Sequence, residues 1–95
     1  METNTFDKWL LGALAGRRLS QAEFARRLPG AEAIDNPDAR VSAWCRGERV
    51  PPRLALAEIL DALAAGAAER AEAEVACVAS ERQRASERVA KAGAL

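Results

Sequence analysis

Apolar residues recur at spacings of three and four along most of this chain, which is the period of a helix buried on one face. No segment alternates apolar and polar residues in the manner of a half-buried strand. The pattern therefore predicts an all-α fold. A first helix is expected between Thr5, as its N-terminal cap, and Gly16. Its apolar stripe consists of Phe6, Trp9 or Leu10, Ala13 and Leu14.

A second, short helix is predicted by a capping box at residues 20–23, Ser-Gln-Ala-Glu. The Ser20 hydroxyl is expected to accept a hydrogen bond from the Glu23 backbone N–H, while the Glu23 side chain reaches back toward the cap. Because Pro29 and Gly30 interrupt helical structure, this helix is predicted to end at Leu28.

A third helix is predicted from Pro37 to Arg46, with Asn36 as its cap and proline at its first position. Gly47 can adopt the left-handed conformation that closes a helix, and the prolines at positions 51 and 52 prevent immediate continuation. The inward stripe of this helix is Val41, Trp44 and Cys45. Its outward side is expected to carry Asp38, Ala39, Arg40, Ser42, Ala43 and Arg46.

The remaining sequence predicts two more helices. A fourth, which should close the core, has the apolar stripe Leu56, Ile59, Leu60 and Leu63, and Gly66 interrupts the chain after it. From Ala67 to Ala92 the sequence is rich in Ala, Glu and Arg and lacks Pro and Gly, which predicts one long helix. We therefore expect a compact four-helix domain over residues 1–65 and a C-terminal helical tail over residues 66–95.

Small residues follow heptad spacing along this tail. Alternating steps of three and four define a seam consisting of Ala68, Ala71, Val75, Val78, Arg82, Ala85, Val89 and Ala92. A single helix of this composition would fray in water, so a homodimer is expected, with contacts through Ala71, Val75, Val78, Arg82, Ala85 and Val89. The alternatives are a tail that folds back onto its own domain and a tail that remains a solvated helix.

Length and charge limit the possible functions. A chain of 95 residues makes one small unit with little apolar surface to spare for a deep catalytic cleft. The formal charge is zero but polarised, with nine Lys/Arg against seven Asp/Glu up to Arg53 and five against seven after it. No apolar run approaches the roughly 20 residues that span a bilayer, and a secretory signal pattern is absent. A cytoplasmic protein is expected.

The side chains that support catalysis or metal binding are scarce. The chain contains two cysteines, Cys45 and Cys77, and no histidine, which excludes the usual paired zinc-ligand patterns and His-dependent catalysis. Both cysteines are expected to be reduced and at least half-buried. The glutamates of the tail alternate with arginines in a pattern typical of a solvated helix face. No enzymatic activity and no cofactor are predicted.

Residues 19–28, together with the spaced set Val41-Ser42-x-Trp44-x-x-Gly47-x-x-x-Pro51, resemble the Cro/C1-type (Xre-like) helix-turn-helix family of phage repressors and bacterial regulators. The resemblance covers roughly residues 6–64. It implies a lambda-repressor-like domain whose third helix enters the major groove of double-stranded DNA, usually as a dimer on a two-fold operator. The sequence departs from the family in its long connection before Pro37 and in Ala43, where many members have a long polar residue.

The resemblance predicts a sequence-specific regulator, a repressor or autoregulator of phage, prophage or toxin–antitoxin type. Gln21 is expected at a DNA phosphate, and Arg40 at a guanine in the major groove, unless it forms an ion pair with Asp38 or Asp35. Ser42 could contact phosphate or its own helix. The full set of predicted DNA contacts is Gln21, Asp38, Ala39, Arg40, Ser42, Ala43, Arg46 and Arg49. The alternative function is a protein-interaction module that keeps this scaffold but binds a protein partner.

Overall fold

The computed structural model describes residues 5–30 and 36–93, and within these ranges the chain is all-α, as predicted. The five helices are α1 (Phe6–Gly16), α2 (Gln21–Arg27), α3 (Pro37–Cys45), α4 (Arg53–Ala62) and α5 (Ala67–Gly93). Their bounds lie within one residue of the predicted ones where these were assigned. The long connection before Pro37 includes residues 31–35, which lie outside the described ranges. Among the described helices, none combines the length and the apolar content that crossing a membrane requires.

The predicted apolar stripes of the first four helices meet in one core. Phe24 and Val41, from α2 and α3, are fully buried, and Trp44 lies beside them with only 4% of its surface exposed. Helix α3 packs against both α2 and α1. The other members of this core from these four helices and their ends are Phe6, Leu10, Leu14, Ala25, Leu28, Cys45, Leu56, Ile59, Leu60 and Leu63. These stripes are confirmed.

The predicted helix caps are confirmed only in part. The Ser20 hydroxyl accepts from the Glu23 backbone N–H at 3.1 Å, as expected, but the Glu23 carboxylate accepts a bond from that same hydroxyl. Asn36 and Thr5 occupy the N-cap positions of α3 and α1 without a side-chain bond to a helix N–H, so capping by these side chains was wrong. The Thr5 hydroxyl donates to the Asp7 carboxylate instead.

Three helices end in the same hydrogen-bonded arrangement, in which a left-handed residue reverses the chain. Gly47 takes this conformation after α3 with φ +75°, as predicted. Arg18 (φ 55°) and Ala64 (φ 53°) take it after α1 and α4, where Gly16 and Gly66 were expected to stop the helices. In each case the following N–H donates to a carbonyl five residues earlier, as Leu19 does to Leu14 at 3.0 Å.

Helix α5 packs back onto the other helices. Ala73, Ala76 and Cys77 are buried in the common core, and α5 runs against α1. The backbone N–H of Phe6, a free donor at the start of α1, donates to the Ser80 hydroxyl at 2.8 Å. The tail therefore folds back as the alternative interpretation expected, and it does so through a stripe other than the predicted seam.

Candidate nucleic-acid interface

The outward face of α3 has less polar surface than the sequence predicted. Asp38, Ala39 and Arg46 are exposed, and Ser42 is half-buried. Ala43 was expected to be exposed and is buried, with 8% of its surface accessible, so that expectation was wrong. A methyl group at this position leaves α3 able to pack closely on its neighbours, whereas the long polar residue common in the resembling family would extend away from them.

Arg40 is folded onto the core rather than extended from α3. Its guanidinium carbon lies 5.4 Å from the centre of the Trp44 ring, a cation–π arrangement. Its Nε and Nη2 atoms are buried, and neither has a hydrogen-bond partner among the described residues. The described residues include no Arg40–Asp38 ion pair, while Asp35 lies outside them. In this conformation the guanidinium is not available to a base edge.

Gln21 lies at the first position of α2, directly after the Ser20 cap, and its side chain is half-buried. The Ser20 hydroxyl already satisfies the Glu23 N–H in this turn. The N–H groups that remain in the first turn still point out of the helix end, where they and the Gln21 amide could bind a phosphate oxygen.

The arginines that follow α3 are exposed. Arg46 makes an ion pair with Glu48, with Nε and Oε1 3.0 Å apart, and both side chains remain more than half exposed. Such a pair on the surface is worth roughly 0–1 kcal/mol, so it would open readily if a phosphate replaced the carboxylate. Arg49 is exposed, and the described residues provide it with no ion pair.

Comparison of the chain with protein-family models, with curated proteins and with solved structures finds no match. The resemblance to the Cro/C1-type family therefore remains a prediction that rests on the residues themselves.

A basic groove, which the sequence did not predict, lies where α1, the α3–α4 loop and α5 meet. Its volume is about 580 Å³. Five cationic side chains line it: Lys8, Arg46, Arg49, Arg84 and Arg88. Two acidic side chains, Asp7 and Glu87, also line it, which leaves an excess of positive charge. Three of the five cations were missed because they come from distant parts of the chain and were assigned to solvated faces.

One signal in the sequence could have revealed the groove. The buried stripe of α5 continues at helical spacing from Cys77 through Ser80 to Arg84 and Arg88. Arg84 Nη2 donates to the carbonyl of Gly47 at 3.3 Å, which fixes this part of α5 beside the end of α3. The residues that pack α5 onto the core thus also aim its arginines at the loop after α3.

The predicted dimer seam lies on the side of α5 away from the core. Val75 and Val78 are 58% and 47% exposed, and Val89 is exposed as well. The other three predicted contacts, Ala71, Arg82 and Ala85, are also exposed. The seam is therefore accessible to a partner, and the two larger valines form an apolar strip beside Ala79 and Arg82.

Both cysteines are buried and free, as predicted. Burial, together with the nearby Glu81 and Glu74 carboxylates, raises the pKa of the Cys77 thiol to about 11. Burial and the Asp7 carboxylate raise the pKa of the Cys45 thiol as well. Since the thiolate is the nucleophile and the metal ligand, thiols that stay protonated at neutral pH are poorly suited to either role.

Proposed function

We propose that this protein is a sequence-specific DNA-binding regulator that acts as a homodimer on a two-fold operator, with α3 as its recognition helix. The observation that carries the proposal is the pairing of α2 and α3. A capped α2 packs on an α3 that ends at Gly47, and exposed arginines follow directly in the loop. This arrangement suits a helix that enters the major groove while the loop after it meets the DNA backbone.

The exposed side chains of α3 can contact base edges in the groove. Asp38 can accept a hydrogen bond from a cytosine amino group, and Ala39 can contact a thymine methyl group. Arg46 and Arg49 would hold phosphates, which fixes the position of α3 without contributing sequence preference. Gln21 would hold a further phosphate at the start of α2.

Arg40 requires a change of side-chain conformation to reach a base. Leaving Trp44 costs the cation–π attraction, roughly 0.5–2 kcal/mol. A bidentate bond to guanine contributes about 1–3 kcal/mol of discrimination, enough to offset that loss at the correct base pair. In this proposal Arg40 is stored on Trp44 in the free protein and extends only on cognate DNA.

A second copy of the chain is the proposed partner at the seam of α5. The valines that would form the contact are exposed, while the small residues between them permit close approach of two helices. Two half-site contacts linked in one dimer would bind a palindromic operator far more tightly than one.

The inward position of Arg40 and the acidic Asp38 on the outer face of α3 favour the second candidate function, a module that binds a protein partner. Salt dependence distinguishes the two, because Arg–phosphate contacts release counterions and a protein interface need not. We expect selection from random duplexes to yield a palindrome whose affinity falls steeply as salt rises. Equal, weak binding to selected and scrambled duplexes at every salt concentration would rule out the regulator.

Variants assign the contacts within that experiment. Arg40→Ala should cost about 1–3 kcal/mol at the selected site and relax the preference at one base position in each half-site. Arg49→Ala should weaken binding to all sequences alike. Arg27→Ala, an exposed arginine in the last turn of α2, is the control and should change neither affinity nor preference.

A further inference from the structure

Helix α5 presents two different stripes on nearly opposite sides. One is the predicted seam, which is exposed. The other begins with Ala73, Ala76 and Cys77 in the core and changes character at Ser80, after which it carries Arg84 and Arg88. The helix therefore leaves the core with arginines on the side that packed against it, directly beside the loop that follows α3.

The contacts already made by the groove cations leave several of them available. Arg84 bonds to the Gly47 carbonyl, and Arg46 pairs with Glu48. In the described part of the chain, Lys8, Arg49 and Arg88 make no ion pair, and all three are exposed. Cations that converge from three elements without a protein counterion make an electropositive groove suited to an anion.

One of the two acids in the groove has a separate function. The Asp7 carboxylate accepts a bond from the Thr5 hydroxyl and lies against Gly47, so that a Cβ added there would meet its Oδ2 at 3.3 Å. It thus packs at the close approach of α1 to the α3–α4 loop. Its negative charge also limits how many of the groove cations remain uncompensated.

We propose that the basic groove binds a phosphodiester group of the DNA backbone, with Arg88 on the α5 side and Lys8 and Arg49 on the opposite side. This rests on the proposed function and extends it, because it makes α5 part of the DNA interface as well as the candidate dimer element. A backbone phosphate fits better than a small enclosed anion, since the cations that would bind it are exposed side chains beside the loop that faces DNA.

The test compares single charge removals on the same helix. Arg88→Gln removes a groove cation, whereas Arg82→Gln removes an exposed cation from the opposite side of α5. The affinity of each variant for the selected duplex is measured as a function of salt. The slope of log K against log salt should become shallower by about 0.9 for Arg88→Gln and stay unchanged for Arg82→Gln. The base preference should be the same for both variants.

Three additions make the result decisive. Arg49→Gln should reproduce the change of slope from the other side of the groove. Sedimentation should give both α5 variants the oligomeric state of the unmodified protein, so that lost dimerisation does not imitate a lost contact. A titration with inorganic phosphate, followed by NMR, tests whether a free anion occupies the groove instead.

The outcomes separate the two proposals. If the unmodified protein binds its selected duplex but Arg88→Gln and Arg82→Gln have equal slopes, the groove does not contact DNA, while the regulator proposal stands. Inorganic phosphate that binds in the groove, with duplex affinity indifferent to Arg88, also overturns the DNA contact. A protein that binds no duplex overturns both proposals.

Discussion

Arg17 and Glu69 form a two-pronged ion pair that ties the end of α1 to the first turn of α5. Arg17 Nη2 donates to the two Glu69 carboxylate oxygens at 3.0 and 2.8 Å. The same guanidinium donates to the Leu63 carbonyl at 2.9 Å and to the Ala13 carbonyl at 3.2 Å. One side chain thus joins the C-terminal ends of two helices, whose carbonyls lack helical partners, to the N-terminal end of a third.

This pair predicts an acid-dependent loss of stability. The Arg17 hydrogen bond holds the pKa of the Glu69 carboxyl below its usual range. A carboxyl whose pKa is lowered by folding stabilises the protein above the unfolded pKa, about 4.3, and that contribution is lost as the pH falls through the folded pKa. In urea unfolding between pH 2 and 7, Glu69→Gln should remove part of the acid-side decline. Glu72→Gln, on an exposed carboxyl of the same helix, should retain it; indistinguishable profiles for both variants would contradict this role.

The two sides of α5 should respond in opposite ways to the same charge. Ala73 is fully buried, so Ala73→Glu places a carboxylate in the core and should cost about 3 kcal/mol or more of unfolding free energy. The double variant Val75→Glu/Val78→Glu alters exposed positions and should leave the helical circular dichroism intact while converting a dimer to a monomer in sedimentation. A full-length monomer at micromolar concentration, or a dimer unaffected by the double variant, would contradict the seam. Truncation at Gly66 is a poorer test, since it also removes Ala73, Ala76 and Cys77 from the core.

The sequence predicted the first four helices well because each has a local signal. Apolar residues at helical spacing marked the buried faces, such as Leu56 and Ile59 in α4, and the Ser20 cap marked the start of α2. In α5 this signal was ambiguous, because alanine occurs on both sides. The larger valines are exposed and the smaller Ala73 and Ala76 are buried, since close packing against α1 favours small side chains.

The candidate site was less predictable because its geometry depends on contacts between distant residues. The position of Arg40 on Trp44 depends on a rotamer, which periodicity does not determine. The basic groove unites Lys8 with Arg88, residues at opposite ends of the chain, and forms only once α5 has packed on α1.

The left-handed residues at the helix ends predict substitutions of opposite sign. Ala64→Gly should stabilise the protein by about 0.5–1 kcal/mol, because relief of the left-handed strain outweighs the greater freedom of glycine in the unfolded chain. Gly47→Ala should destabilise it by about 1–2 kcal/mol, since its Cβ would be strained and would press on Asp7. Urea midpoints at one pH measure both changes. Gly12→Ala is the control, because Gly12 lies within α1 with nothing within 4 Å of an added Cβ, and it should not destabilise. Equal effects at positions 47 and 64 would show that backbone conformation does not decide them.

The buried thiols predict a loss of stability at alkaline pH. With the pKa of Cys77 raised to about 11, the folded protein keeps a proton that the unfolded chain releases near pH 8.5. Stability from this group is therefore fully present below about pH 8.5 and declines as the pH rises toward 11. Urea midpoints from pH 7 to 10 should fall in the unmodified protein and fall less in Cys77→Ala, whose own cavity lowers stability equally at every pH. Alkylation by iodoacetamide gives an independent measure, because it requires the thiolate: at pH 8 the folded protein should react far more slowly than the urea-unfolded chain. If Cys77 in the folded protein reacted as fast as in the unfolded chain, α5 would not pack on the core at that position.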